Sequence, residues 1–263
     1  IEKEDAEYWY AENKRLLTTV VAPAYDRLAD ELTLLKGSGV NAQGLAGYEY
    51  GREYYQAYLR LITGSYRTIP EIKQMLSEDF EKNYISLITL LREEPALNDK
   101  LSTVNAFFPT LPPEKILTGL QEMIAEDYPV LPVQTECTVK YVDKALEPYS
   151  APAFYMIPPI DDTKENTIYI NQMDTAEGLS LFTTLAHEGY PGHLYQTVYS
   201  GYYQQSTNVS PVRNMLSYGG YIEGWATYAE LQSYDYAIRL TAEKHPETGS
   251  LYLADKLNRQ IQV

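Results

Sequence analysis

Residues 183–196 read TTLAHEGYPGHLYQ, and the path of the backbone through them decides the architecture around them. Thr183 to Glu188 and His193 to Gln196 suit a helix, while Pro191 and Gly192 interrupt it. His187 and His193, two of only three histidines in 263 residues, stand six positions apart. On a regular helix each residue turns about 100°, so such a pair points about 120° apart and is separated by about 9 Å along the axis. Side chains so placed cannot share one ion at nitrogen distances near 2.1 Å. Pro191 removes a backbone donor and clashes with the carbonyl four residues back, and Gly192 accepts turns that other residues avoid. A bulge there returns both imidazoles to one side, and such irregularities recur at functional sites. The spacing therefore predicts a helix over 178–199, irregular between Glu188 and His193, with both imidazoles facing one way.

A catalytic zinc takes three protein ligands and keeps one position open. His245, in EKHPET, falls in a surface turn and receives no role. The third ligand is sought among carboxylates. The stretch YIEGWATYAE, residues 221–230, places Glu223 and Glu230 seven apart, on nearly one face of a helix. Glu223 is the expected ligand, with Gly224 beside it giving room for another backbone. Glu230 is expected behind a histidine, orienting it. Glu188 follows the first histidine directly, the position from which a metalloprotease glutamate takes a proton from water. Tyr218 and Tyr221 offer hydroxyls for an oxyanion, and Arg213 a guanidinium for a substrate carboxylate. With 26 tyrosines in the chain, plain packing or surface roles compete for the two hydroxyls, and an ordinary surface ion pair for Arg213. Trp225 and Tyr228 read as core, and Cys137 as a buried strand residue.

Outward from this stretch the chain is mainly helical. Leu17, Val21, Tyr25, Leu28, Leu32 and Leu35 form an apolar stripe that Gly37 closes and that Pro23 either kinks or divides into two successive helices. Further helices are expected over 46–63, closed by Gly64, and from Thr68, where Ile72, Leu76, Phe80, Tyr84, Leu87 and Leu91 share one face. Another runs from Pro112 and Pro113 to about Asp127. The pattern changes after residue 128: TECTVKYV, AFYMI and TIYIN read as three short strands. Helices return over 213–240 and from 250 onward. The fold class is thus mainly α with a small β-sheet (α+β): a helical region over 1–128, then sheet and site helices over 129–263, as one continuous domain. The helical register at Val263 predicts that the chain is a fragment of a longer one.

Composition narrows the functional classes. The formal charge of −15 repels phosphate-rich partners, disfavouring nucleic acid and anionic membranes. No apolar run approaches the roughly 18 residues of a membrane span. One cysteine excludes an intramolecular disulfide and any multi-cysteine zinc site.

HEGYPGHLYQ followed by EGWATYAE resembles the bacterial domain-of-unknown-function family 885, as does the preceding APAFYMIPPIDDTKENTIYIN. That family is itself similar to zinc-dependent oligopeptidases and thermostable carboxypeptidases. The resemblance is strong over about 150–235. It implies a zincin-like (gluzincin-like) helical metallopeptidase with Zn2+ on His187, His193 and Glu223, and Glu188 as general base. It also implies that TIYIN is the edge strand along which an extended peptide pairs. Members are about twice this length, with a C-terminal segment carrying Arg, Pro-Gly-Gln and Tyr, so this piece is expected to lack any stabiliser supplied from there. An exported or cell-envelope bacterial protein is implied, with a peptide substrate. Two rival readings stand beside it: a non-catalytic helical surface or solute-binding module, and a metal-dependent amidase acting on non-peptide amides.

Overall fold

The computed structural model describes residues 3–159, 164–173, 177–207, 209–210, 212–213 and 216–263, which separate into two compact units, 1–55 and 56–263. Positions 160–163 of the strand-bearing stretch, and 214 and 215 of the helix expected from 213, lie outside the described residues.

In the first unit α1 (Lys3–Leu16) and α2 (Ala22–Leu34) run end to end through a π-helical turn, Leu17–Val21. Pro23 sits in the first turn of α2, and the Ala22 N–H donates five residues back, to Leu17 O. Near this residue without an N–H the helix widens, and of the two expectations, a kink or two successive helices, the second is the nearer. The apolar stripe from Leu17 to Leu35 is not buried: exposure runs from 39% at Val21 to 69% at Tyr25.

The second unit holds the core. Helix α3 (Gly51–Thr63) starts in the first unit and ends at Gly64, whose φ is 66°. Helix α4 (Ile69–Glu93) opens with a reciprocal cap: the Glu71 N–H donates to Thr68 Oγ1 and the Thr68 N–H to Glu71 Oε2. Only the last turns of its apolar face are covered; Leu87 is buried, while Leu76, Phe80 and Tyr84 are about half exposed. After the short α5 (Leu97–Leu101), α6 (Pro113–Met123) buries Ile116, Leu117 and Leu120.

The three expected strands form one sheet: β1 (Glu136–Tyr141), β2 (Ala153–Met156) and β3 (Glu165–Ile170), in the order β1-β3-β2. β1 runs parallel to β3 and β2 antiparallel to it. β3, which contains most of TIYIN, is therefore the central strand and cannot receive a substrate at an edge. Its alternation buries Asn166, Ile168 and Ile170 on the core side.

Among the described residues α7 (Gly178–Glu188), α8 (His193–Ser206), α9 (Gly219–Thr241) and α10 (Thr248–Gln262) complete the unit. α7 is anchored at its start, where Ser180 N–H donates to Asn105 Oδ1 at 2.8 Å. Leu179, Phe182 and Leu185 of α7 join Leu194 and Val198 of α8 in the core. On α9 the fully buried residues are small: Ala226, Ala229, Ser233 and Ala237. Residues of this size let a helix approach its neighbour closely, and α7 is that neighbour. Among the described residues no helix is long and apolar enough to cross a membrane.

Candidate metal centre

The motif stretch is two helices. α7 stops at Glu188, and α8 begins at His193. Between them the chain makes a wide turn, with Gly189 N–H donating to Leu185 O, Gly192 N–H to Ala186 O and Tyr195 N–H to Gly189 O. A Cβ on Gly192 would stand 1.8 Å from His187 O and 2.4 Å from Ala186 O, so only glycine fits. The buried ring of Tyr190 pins the turn from one side through Thr135, 2.8 Å from its hydroxyl. Trp225 pins it from the other, donating from Nε1 to Pro191 O at 2.8 Å. The break is fuller than a bulge, but its effect is the one the spacing required: the two imidazole rings lie 4.8 Å apart, edge to face.

α9 grips His187 at both ends of its ring. Glu223 and Glu230 are two turns apart, about 10.5 Å along the axis. Glu223 Oε2 lies 3.7 Å from His187 Nε2, and Glu230 Oε2 lies 3.2 Å from His187 Nδ1. His193 Nε2 is 3.5 Å from the same Glu223 oxygen. Separations of 3.5 and 3.7 Å are long for hydrogen bonds. They match the roughly 3.4 Å edges of a tetrahedron whose bonds are about 2.1 Å. Two imidazoles and a carboxylate are also a zinc donor set, so the residues fit the ion.

Glu188 completes the group. Donor atoms of His187, Glu188 and His193 lie within 4.8 Å of one another, so by distance alone Glu188 could serve as a ligand in place of Glu223. Two contacts favour Glu223. Its Oε2 faces both Nε2 atoms at once, whereas Glu188 Oε2 already accepts the Tyr155 N–H of β2 at 2.8 Å. An edge strand thus holds the carboxylate next to the centre without filling both its oxygens.

The electrostatics follow from burial and charge. Burial lifts the Glu188 carboxyl above the ordinary range, with the Tyr155 N–H and His187 only partly opposing it. For His187 burial disfavours the imidazolium, but the Glu230 hydrogen bond and the surrounding carboxylates outweigh it and the pKa stands above normal. His193 moves the other way, lowered by burial and by its histidine neighbour. Glu230 is buried yet held below the usual carboxylate range, because His187 and Arg259 outweigh desolvation.

The remaining candidates make other contacts. Arg213 stacks over the Tyr218 ring at 5.5 Å and donates to Leu216 O; Tyr221 is 59% exposed. Among the described residues none of the three makes a hydrogen bond or ion pair to the two histidines or to Glu188 or Glu223. Gly224 faces open space, and among the described residues no neighbouring backbone approaches the position its Cβ would take. Tyr228 is half exposed rather than core. Three residues that shape the centre have no role in it on the sequence reading: Tyr155, through a backbone N–H; Trp225, read as core, through its indole; and Arg259, through Glu230.

Fold and site together define a mainly helical protein with a small sheet and a histidine–carboxylate cluster at a helix break. The chain belongs to the bacterial family described as "Bacterial protein of unknown function (DUF885)", which it matches over residues 2–238. Among curated proteins none matches it. A solved structure, described as "the putative lipoprotein from Colwellia psychrerythraea", shares the fold, with a TM-score of 0.71 at 19% identity. The match covers 99% of this chain and 46% of that one, so the chain spans less than half that protein's length.

Proposed function

We propose that this protein is a zinc-dependent peptidase of the gluzincin type acting on short peptides. The observation that carries the reading is the placement of Glu223 Oε2 opposite the Nε2 atoms of both histidines, with Glu188 beside them. His187, His193 and Glu223 would hold the ion. Zinc, when bound, is a Lewis acid that lowers the pKa of water to about 7 and polarises a carbonyl. Glu188 takes the proton from the attacking water as its oxygen bonds to the scissile carbon. It then returns that proton to the amine as the C–N bond breaks. Its raised affinity for protons suits both steps. The Tyr155 N–H keeps the carboxylate aimed between the two tasks.

β3 is paired on both sides, and of the two edge strands β2 is the one that touches Glu188, which makes it the strand to pair with an extended peptide. The charge of −15 favours neutral or basic substrates over acidic ones. The description of the Colwellia protein as a lipoprotein favours an exported or envelope location for this one too.

The test is hydrolysis of a panel of short peptides set against acylated amino acids, with Glu188→Gln as the control. Peptide cleavage that falls by about 10²-fold or more in Glu188→Gln, with zinc still bound, is the expected result. Full activity in Glu188→Gln contradicts the mechanism, and turnover of acylated amino acids alone contradicts the substrate class.

A further inference from the structure

Arg259 touches neither histidine, yet it controls the group that does. Its guanidinium forks onto Glu230, with Nε donating to Oε1 at 2.6 Å and Nη2 to Oε2 at 3.3 Å. Oε2 of the same carboxylate faces His187 Nδ1 at 3.2 Å. The Glu230 side chain is only 11% exposed, so its oxygens depend on these protein partners. A planar fork gripping both oxygens fixes the plane of the carboxylate, and therefore where the lone pairs of Oε2 point. With those lone pairs aimed at Nδ1, the ring proton belongs on Nδ1. The lone pair of Nε2 is then left facing Glu223 and His193.

The supporting helix is keyed to the same end. One turn along, Tyr234 of α9 donates to Asp255 Oδ2 of α10 at 2.9 Å, and Lys256 bonds Asp235 at 3.1 Å. The Glu230–Arg259 link is therefore one rung of a ladder between α9 and α10, and it is the rung that ends on a candidate ligand.

We propose that Arg259 is a positioning residue of the metal centre, which clamps Glu230 and thereby fixes the tautomer and ring orientation of His187. This rests on the metal-site reading above. A lysine in its place would keep the charge but lose the fork.

The experiment is cobalt(II) titration against a competing chelator, with the visible spectrum of the bound ion recorded, on wild type, Arg259→Met, Arg259→Lys and Tyr234→Phe. Both Arg259 variants are expected to bind about tenfold more weakly or worse and to show an altered cobalt band. Tyr234→Phe, which removes a neighbouring rung without touching Glu230, is expected to leave both unchanged. Should Arg259→Met not fold, Arg259→Lys decides. Wild-type affinity and spectrum in folded Arg259→Lys overturn the proposal, as does an equal loss in Tyr234→Phe. Wild type that binds no cobalt removes the metal-site reading instead. Nitrogen correlation spectra of the metal-free protein then decide on Arg259: a His187 proton on Nδ1 in wild type, scrambled in the variants, is the expected result. The same tautomer in all of them overturns it.

Discussion

His187 shows how much one residue can gather. Its ring is addressed at Nε2 by Glu223 and at Nδ1 by Glu230, two carboxylates on one face of α9. The seven-residue spacing in YIEGWATYAE made that pairing legible, because side-chain direction along a helix is fixed by counting. Arg259 was not legible in the same way. It lies 29 positions beyond Glu230 and meets it only through the packing of α10 on α9. Two glycines test the residue-scale reading in opposite directions. Gly192→Ala puts a methyl on the His187 carbonyl and is expected to cost about 3 kcal/mol or more in denaturant unfolding. Gly224→Ala enters open space inside α9 and is expected to stabilise by about 0.5–1 kcal/mol. A harmless Gly192→Ala would mean that the turn at 189–192 is not as tight as described.

At the scale of elements, the break between α7 and α8 does what the six-residue spacing demanded. Sequence reasoning found it because proline and glycine act locally. It missed the two anchors of the turn, Tyr190 on Thr135 and Trp225 on Pro191, since both contacts join distant stretches. Trp225→Phe keeps a ring stacked near Tyr195 but loses the bond to Pro191 O. It is expected to lower unfolding stability by about 1 kcal/mol, measured in urea, and no change would remove the indole from its anchoring role. The sheet shows the same divide. Three strands could be read from their β-branched and aromatic runs, but their order could not. Pairing is a long-range property, and β3, read as an edge, lies between β1 and β2. Helical periodicity likewise located α2 and α4 without settling burial. The stripe residues from Leu17 to Leu35, and Leu76, Phe80 and Tyr84, are exposed, whereas Leu87 is buried.

At the scale of the second unit, the buried core gathers around α7, and the centre is tied to the edge strand β2 through the Tyr155 N–H. Cys137 reports on the integrity of that sheet from a distance. Burial raises its thiol to about 11, with a backbone hydrogen bond involving Ile168 only partly opposing it. Only the thiolate reacts, so alkylation by iodoacetamide at pH 8 is expected to run roughly two orders of magnitude slower than for a free cysteine. Between pH 8 and 10 the rate should rise about tenfold per unit, as the thiolate fraction does. Fast alkylation at pH 8 would mean that the Cys137 side chain is not packed against the core.

The central claim is that His187, His193 and Glu223 form one zinc site, and zinc content tests it most directly. Protein purified without chelator, or titrated with zinc by calorimetry, is expected to hold one equivalent. His187→Ala, His193→Ala and Glu223→Gln should each lose it, and Glu188→Gln should retain it. Well-folded wild type without zinc, or a His193→Ala variant that still binds a full equivalent, would contradict the claim.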